Sequence, residues 1–105
     1  MIEFKNYKKE NMDNSLQLIL LGSESCKACL LMKPTVQKVA QENHIDCKYL
    51  LVTEYDEVTK ILGQLANMIS MLPALFFVQR GKPVRYLSGY QQQAKIQEVV
   101  SELLV

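Results

Sequence analysis

Two cysteines that stand two residues apart are the residues of this sequence best suited to chemistry. Cys26 and Cys29 form a C-x-x-C pair in a chain of 105 residues that holds three cysteines. Such a pair serves electron exchange, metal binding or plain packing, because free cysteine is also a common buried residue. In a reducing compartment a C-x-x-C pair is more often catalytic or metal-binding than structural. The residues around the pair must decide among these uses.

The position of the pair favours redox exchange. Cys26 follows a short apolar run and opens a helical pattern, so we expect it at the N-terminus of a helix. The unpaired N–H groups and the helix dipole at that end favour a thiolate, and Lys27 adds a positive charge. Cys29 lies about one turn further on, close enough to close a disulfide. A lowered pKa makes Cys26 the attacking thiolate, and a buried Cys29 then resolves the mixed disulfide.

A zinc site is the main alternative for the cysteines. Cys26, Cys29, His44 and Cys47 have the spacing C-x2-C-x14-H-x2-C, which resembles that of a zinc site. The intervening residues carry continuous helical periodicity, and a helix of that length separates its ends by ~20 Å. Four ligands of one zinc ion cannot span that distance. We therefore interpret His44 as a surface residue near a helix end and Cys47 as a strand residue, and we predict no metal.

Composition narrows the class of protein. Twelve basic and eleven acidic residues give a net charge of +1, which offers no electrostatic basis for binding nucleic acid. With 49% hydrophobic and 22% charged residues, the chain has the profile of one globular domain over residues 1–105. No apolar run reaches the ~18 residues of a membrane span. Residues 1–14 lack the apolar run of a signal peptide, so we expect a cytoplasmic protein without membrane partners.

Hydrophobic periodicity predicts four strands and three helices in the order β-α-β-α-β-β-α. The strands are placed at residues 15–22, 46–53, 74–79 and 84–89, and the helices at residues 26–43, 56–68 and 92–104. Strands that are separated by helices imply a parallel pair with a right-handed crossover, whereas the last two strands form a hairpin. A short helix near residues 7–12 stays an open alternative.

The first predicted helix is amphipathic. Its buried face is expected to carry Cys29, Met32, Val36, Val39 and Ala40. Its polar side is expected to carry Lys33, Gln37, Lys38 and Gln41. This division places the second cysteine of the pair against the core and leaves Lys33 toward solvent.

From about Leu16 to its C-terminus, the chain resembles the thioredoxin family. The resemblance rests on the C-x-x-C pair after a strand, on Pro34 in the following helix, and on Pro73 in "SMLPALFF". Gly81 in the hairpin turn and Gly89 before the last helix also stand at family-like spacing. The resemblance implies an α/β thioredoxin-like fold with a central mixed four-stranded sheet. The first strand of a thioredoxin would be short or absent in residues 1–4.

The resemblance also implies an active site. Cys26 is the expected nucleophile and Cys29 the resolving cysteine, with their disulfide in place of any cofactor. The Leu72–Pro73 bond is expected to be cis and to lie beside the cysteines, where the backbone of Leu72 binds an extended substrate. The expected substrate-binding residues are Leu72, Pro73, Ala74, Ser25 and Lys27. Expected partners are protein disulfides or dithiols and a reductant resembling thioredoxin reductase.

Departures from the family pattern keep a second function open. Thioredoxins usually read WCGPC, whereas this chain reads SCKAC. The strand position where thioredoxins bury an aspartate falls on Leu20, and we interpret the nearby Glu24 as a solvated turn residue. Without a buried base, deprotonation of Cys29 should be slower. The alternative to an oxidoreductase is therefore a binding, adaptor or redox-sensing module of the same fold.

Overall fold

Four strands and two helices make up the part of the chain that the structure, a computed structural model, describes: residues 16–53, 71–80 and 82–104. They are β1 (Leu16–Gly22), α1 (Lys27–Glu42), β2 (Asp46–Leu51), β3 (Ala74–Gln79), β4 (Lys82–Ser88) and α2 (Gln93–Leu103). Four features predicted from sequence lie outside the described residues: the strand at 1–4, the helices at 7–12 and 56–68, and Gly81.

The four strands form one mixed sheet in the order β2-β1-β3-β4. β1 pairs in parallel with β2 and antiparallel with β3, which pairs antiparallel with β4. All seven residues of β1 are buried, which explains why its sequence LQLILLG is apolar on both faces except at Gln17. The predicted mixed four-stranded sheet is confirmed.

The two faces of the sheet carry separate apolar clusters. The first cluster joins the sheet to α1 and α2 through Leu18, Leu20, Phe77, Met32, Val36, Ile96 and Val99, among others. The second, on the opposite face, comprises Ile19, Leu21, Leu50, Ala74, Phe76 and Val78. Alternate residues of β1 therefore serve alternate faces, as the strand repeat of two requires.

The hairpin differs from the predicted one at its turn. The fourth strand begins at Lys82 rather than at residue 84, because Lys82 pairs with Gln79 and shortens the connection. Arg80 takes up part of this tight reversal with a positive φ of 55°. Pro83 is thereby included in β4, where an edge strand tolerates the missing N–H. The predicted strand start was therefore wrong by two residues.

The ends of α1 agree with the sequence. Cys26 is its N-cap and Asn43 its C-cap, and the exposed His44 follows with a φ of 57°. The Asn43 side chain donates hydrogen bonds to the carbonyl of Val39 at 2.8 Å and to Gln97 of α2 at 2.7 Å. These bonds end the helix and tie it to α2. The predicted position of His44 at a helix terminus is confirmed.

Candidate active site

Cys26 caps the N-terminus of α1 with its side chain. Its backbone is extended, and its Sγ accepts a hydrogen bond from the Cys29 N–H at 3.1 Å. Its own N–H donates to the Ser23 carbonyl at 3.2 Å, which closes the turn leading out of β1. Because the first N–H groups of a helix have no partner within it, they favour a negative charge at this position. The sulfur of Cys26 therefore lies where a thiolate is stabilised.

Cys29 lies one turn into the helix, on its buried face. It is disulfide-bonded to Cys26, with 5.2 Å between the two Cα atoms. Cys29 has no solvent exposure, whereas Cys26 is half-buried. Cys47 of β2 is buried and is not part of this disulfide. The pairing therefore follows the expectation from sequence, and one member of the pair is more accessible than the other.

Gly22, the last residue of β1, leaves a space that the Tyr49 side chain fills. A Cβ added at Gly22 would lie 2.5 Å from the Tyr49 hydroxyl oxygen and 2.9 Å from the Cβ of Cys29. Contacts under 3.0 Å are not found for real Cβ atoms. The absence of a side chain at Gly22 therefore lets the buried Tyr49 hydroxyl approach the second cysteine of the pair.

Lys33 holds the ring of Tyr49 from the helix side. Its Nζ lies 4.4 Å from the ring centroid, a cation–π distance. Lys33 is only 8% exposed, so the prediction that it faces solvent was wrong. The helical repeat explains the difference, since Lys33 follows Cys29 by four residues and shares its side of α1. Its long aliphatic stem can be buried while its charge rests on the aromatic face.

The electrostatic surroundings of Tyr49 keep its hydroxyl protonated. Burial raises the pKa of this hydroxyl above its ordinary value, and the Glu24 carboxylate raises it further. Glu24 itself is exposed in the turn between β1 and α1, as expected from sequence. Tyr49 is therefore a neutral hydrogen-bond donor over the physiological range of pH.

The expected substrate-binding residues gather at one end of the sheet. The Leu72–Pro73 peptide bond is cis, as the resemblance implied, and Ala74 pairs with Leu21 at the end of β1. The Pro73 carbonyl accepts a hydrogen bond from the Gly89 N–H at 2.7 Å. Pro73 and Ala74 are buried, while Leu72 is partly exposed. The segment thus borders the strand end from which the chain turns toward the cysteines.

The other two expected substrate-binding residues flank the first cysteine. Ser25 ends the turn and Lys27 is the first residue of α1, and both are exposed. Apolar side chains are also exposed in this part of the molecule: Leu30 (45%), Leu31 (65%), Met71 (57%) and Tyr90 (49%). A Cβ added at Gly89 would lie 3.0 Å from the Met71 Sδ, which places Met71 beside the segment that precedes α2.

Comparison with known proteins decides the family. The family model for Thioredoxin matches residues 1–102. The chain belongs to the thioredoxin family. Thioredoxin from Alicyclobacillus acidocaldarius subsp. acidocaldarius is 24% identical to it over 99 residues, covering 94% of this chain and 91% of that protein.

Solved thioredoxin structures share the fold. Fasciola hepatica thioredoxin matches with a TM-score of 0.70 and 21% identity, over 89% of this chain and 84% of that one. Reduced Schistosoma mansoni thioredoxin matches with a TM-score of 0.72 and 17% identity, over 89% and 83% of the two chains. Together, the family and the Cys26–Cys29 pair make this thioredoxin-family protein a thiol–disulfide oxidoreductase.

The thioredoxin-family aspartate has no counterpart at its expected place. Leu20 occupies that strand position, fully buried in the cluster beneath α1. In the parallel pairing of β1 with β2, Leu20 lies opposite Tyr49. The polar group at this level of the sheet is therefore a phenol on the neighbouring strand rather than a carboxylate on β1.

The described part of the molecule holds no assembled metal site. Within residues 16–53, 71–80 and 82–104, no three histidine, cysteine, aspartate or glutamate side chains group as ligands. His44 follows the C-terminal end of the 16-residue α1, whereas Cys26 caps the other end. None of the helices that the structure describes combines the length and apolar character needed to cross a membrane.

Sequence reasoning missed Tyr49, Gly22 and Lys33 as neighbours of the cysteines. The strand pattern identified β2, but it did not reveal which β2 residue faces Leu20. The one usable signal is the alternation of "CKY", because it puts Tyr49 on the same face as the core residue Cys47. The contact with Gly22 depends on the register between the two parallel strands.

Proposed function

We propose that the protein exchanges disulfides with partner proteins, with Cys26 as nucleophile and Cys29 as resolving cysteine. The observation that carries this assignment is the asymmetry of the pair. Cys26 is accessible at a helix N-terminus, and its sulfur accepts an N–H, whereas Cys29 is fully buried. A partner sulfur can therefore reach Cys26 first, and Cys29 can act only within the protein.

The exchange proceeds in two steps, attack by Cys26 on the partner disulfide and then attack by Cys29 on the mixed disulfide. The Cys26 thiolate attacks a partner disulfide, forms a Cys26–partner disulfide and releases one partner thiolate, which takes up a proton. Cys29 then loses its proton, and its thiolate attacks the Cys26 Sγ. The Cys26–Cys29 bond forms, and the second partner sulfur leaves as a thiolate. The partner gains two electrons and the cysteine pair loses two.

Partner recognition is proposed for the end of the sheet beside the cysteines. Leu72 would pair its backbone with an extended segment of the partner, with Pro73 and Ala74 supporting it, as in the addition of a strand. Ser25 and Lys27 flank Cys26 and would contact residues next to the partner disulfide. The exposed Met71 and Tyr90 favour a partner segment with apolar side chains near its cysteine.

A reductant resembling thioredoxin reductase is proposed to return the oxidised pair to the dithiol, and the cytoplasm is the proposed site of action. In a reducing compartment thiols normally stay reduced, which is the state in which Cys26 can attack a partner disulfide. Alkylation of acid-quenched cells, in which each thiol adds mass, tests this proposal. A mainly reduced protein is expected, and a fully oxidised pool would contradict it.

Insulin reduction by dithiothreitol tests the proposed function. The wild-type protein should accelerate precipitation of reduced insulin, and Cys26→Ser should abolish the acceleration. Cys29→Ser should accumulate a mixed disulfide with insulin that Cys26→Ser never forms. Cys47→Ser is the matched control and should keep the activity. Wild-type protein no faster than dithiothreitol alone would instead favour an adaptor, and mixed disulfides formed by Cys26→Ser would reverse the two roles.

A further inference from the structure

Tyr49 is the one buried hydroxyl that the described structure brings beside the cysteine pair. The hydroxyl oxygen of Tyr49 lies 2.5 Å from the ideal Cβ position of Gly22, and the Cβ of Cys29 lies 2.9 Å from that same position. Lys33 covers its ring at 4.4 Å, and Leu20 lies opposite it in the sheet. The phenol is therefore held from the helix side and from the strand side, with its hydroxyl near the Cβ of Cys29.

Two charged residues of the described structure act on Tyr49, and they do so from different sides. Glu24 acts on it from the turn, and Lys33 acts on its ring from α1. Leu20 and Gly22, on β1, contribute no charge. An unpaired thiolate at Cys29 would be a buried anion, which is costly unless a donor reaches it. Tyr49 has a neutral O–H close to the Cβ of Cys29, so it is the candidate for that donor.

We propose that the Tyr49 hydroxyl donates a hydrogen bond to the sulfur of Cys29 and stabilises its thiolate during resolution of the mixed disulfide. This inference rests on the proposed function, in which Cys29 must deprotonate before it attacks Cys26. The tyrosine gives up no proton in the reaction. The Cys29 proton goes to solvent, and Tyr49 lowers the cost of the charge that remains.

The proposed hydrogen bond predicts a change in how the rate of resolution depends on pH, which a purely structural role of Tyr49 does not predict. Loss of a hydrogen bond to a charged group should raise the Cys29 pKa by about one unit. A less acidic thiol is also intrinsically more nucleophilic, with a Brønsted coefficient of about 0.4–0.5. In Tyr49→Phe, resolution should therefore be about threefold slower at neutral pH and about threefold faster on the alkaline plateau. The two pH profiles should cross.

Stopped-flow reaction of the reduced protein with excess 5,5′-dithiobis(2-nitrobenzoate) separates the two steps. Cys26 releases one thionitrobenzoate in a phase that depends on reagent concentration. Cys29 releases the second in a phase that does not. All proteins carry Cys47→Ala so that no third thiol reacts, and circular dichroism verifies that each is folded. Absence of the second phase in the parent protein would refute the Cys29 assignment itself.

Tyr86→Phe is the matched control, since Tyr86 also has a buried hydroxyl but packs against the cluster on the opposite face of the sheet. Its second-phase profile should superimpose on that of the parent. If Tyr49→Phe leaves the profile unchanged, or scales it equally at every pH, the proposal is wrong. A shift of equal size in Tyr86→Phe would refute it as well.

A second variant changes the donor without removing it. Site-specific 3-fluorotyrosine at position 49 has a more acidic hydroxyl and keeps the ring in place. As a stronger donor, it should shift the second-phase profile to lower pH, opposite to Tyr49→Phe. The same substitution at position 86 should have no effect. A shift to higher pH from fluorotyrosine at position 49 would overturn the proposal.

Discussion

The Tyr49 hydroxyl lies where the side chain of residue 22 would begin, 2.5 Å from the ideal Cβ position of Gly22. Two adjacent strands thus share one small volume beside Cys29, and glycine is the residue that lets the tyrosine use it. The glycine at the end of β1 is therefore required by the packing of the active site. The close approach of a neighbouring side chain requires it.

Gly22→Ala should lower the free energy of unfolding by about 1–3 kcal/mol, because its methyl group overlaps Tyr49 and Cys29. Tyr49→Phe should restore part of that loss by removing the oxygen at 2.5 Å. Urea melts of both single variants and the double variant measure the coupling energy between residues 22 and 49. We expect a coupling energy of about 0.5 kcal/mol or more. Tyr86→Phe should be additive with Gly22→Ala. If Gly22→Ala is additive with Tyr49→Phe as well as with Tyr86→Phe, the side chains at positions 22 and 49 do not share this space.

Alkaline pH should destabilise the protein partly through Tyr49. The pKa of its hydroxyl is raised in the folded state, first by burial and then by Glu24. The associated stability is therefore complete below the unfolded value of about 10 and is lost as the pH rises through the folded value. The free energies of unfolding of wild type and Tyr49→Phe, measured from pH 8 upward, should converge or cross above about pH 10. Parallel curves would contradict the raised pKa.

Leu20→Asp should affect stability and rate in opposite directions. An unpaired carboxyl at this fully buried position should cost several kcal/mol, on the order of 2–7. Its burial would also raise its pKa, so that it could accept the Cys29 proton and speed resolution at neutral pH. Denaturant melts and the second stopped-flow phase give the two results.

Leu18→Asp is the control for Leu20→Asp, because Leu18 is equally buried in the same cluster but lies further from the strand end. It should destabilise the protein without speeding resolution. Wild-type stability of Leu20→Asp would contradict the burial of this position. Destabilisation without faster resolution would show that loss of the Cys29 proton does not limit the reaction.

Lys27→Glu should make Cys26 a weaker nucleophile at neutral pH. The exposed Lys27 is adjacent to Cys26, and reversal of its charge should raise the Cys26 pKa by a fraction of a unit, since solvent screens the interaction. The pH dependence of iodoacetamide alkylation in a Cys29→Ser background measures it. Lys38→Glu, an exposed charge reversal further along α1, should have a smaller effect. Equal shifts would assign the effect to net charge alone.

Cys47 should remain outside the redox cycle. It is buried on β2 and lies outside the disulfide that joins Cys26 to Cys29. Peptide mapping of the oxidised protein should find only the Cys26–Cys29 bridge. Thiol titration of the reduced protein should find two reactive groups before denaturation and three after it. A bridge from Cys47 to either partner would contradict the strand and helix positions described above.

The sequence by itself determined the elements and the chemistry of the pair. The run LQLILLG, apolar except for Gln17, predicts a buried strand, and the helical period of the apolar residues in α1 predicts which side of that helix is buried. A C-x-x-C pair at the junction of such elements places one sulfur at a helix N-terminus. These properties depend on residues that are close along the chain, so local rules suffice for them.

Only the tertiary structure decided what surrounds Cys29. Tyr49 reaches it because β1 and β2 pair in one particular register, with Leu20 opposite Tyr49 and Gly22 leaving space. The helical repeat places Lys33 on the side of α1 that carries Cys29, but only the tertiary structure shows that its charge rests on the Tyr49 ring. The turn after Gln79 likewise depends on the pairing of its two strands. Such contacts join residues distant in sequence, and a shift of one residue in register would turn these side chains to the other face of the sheet.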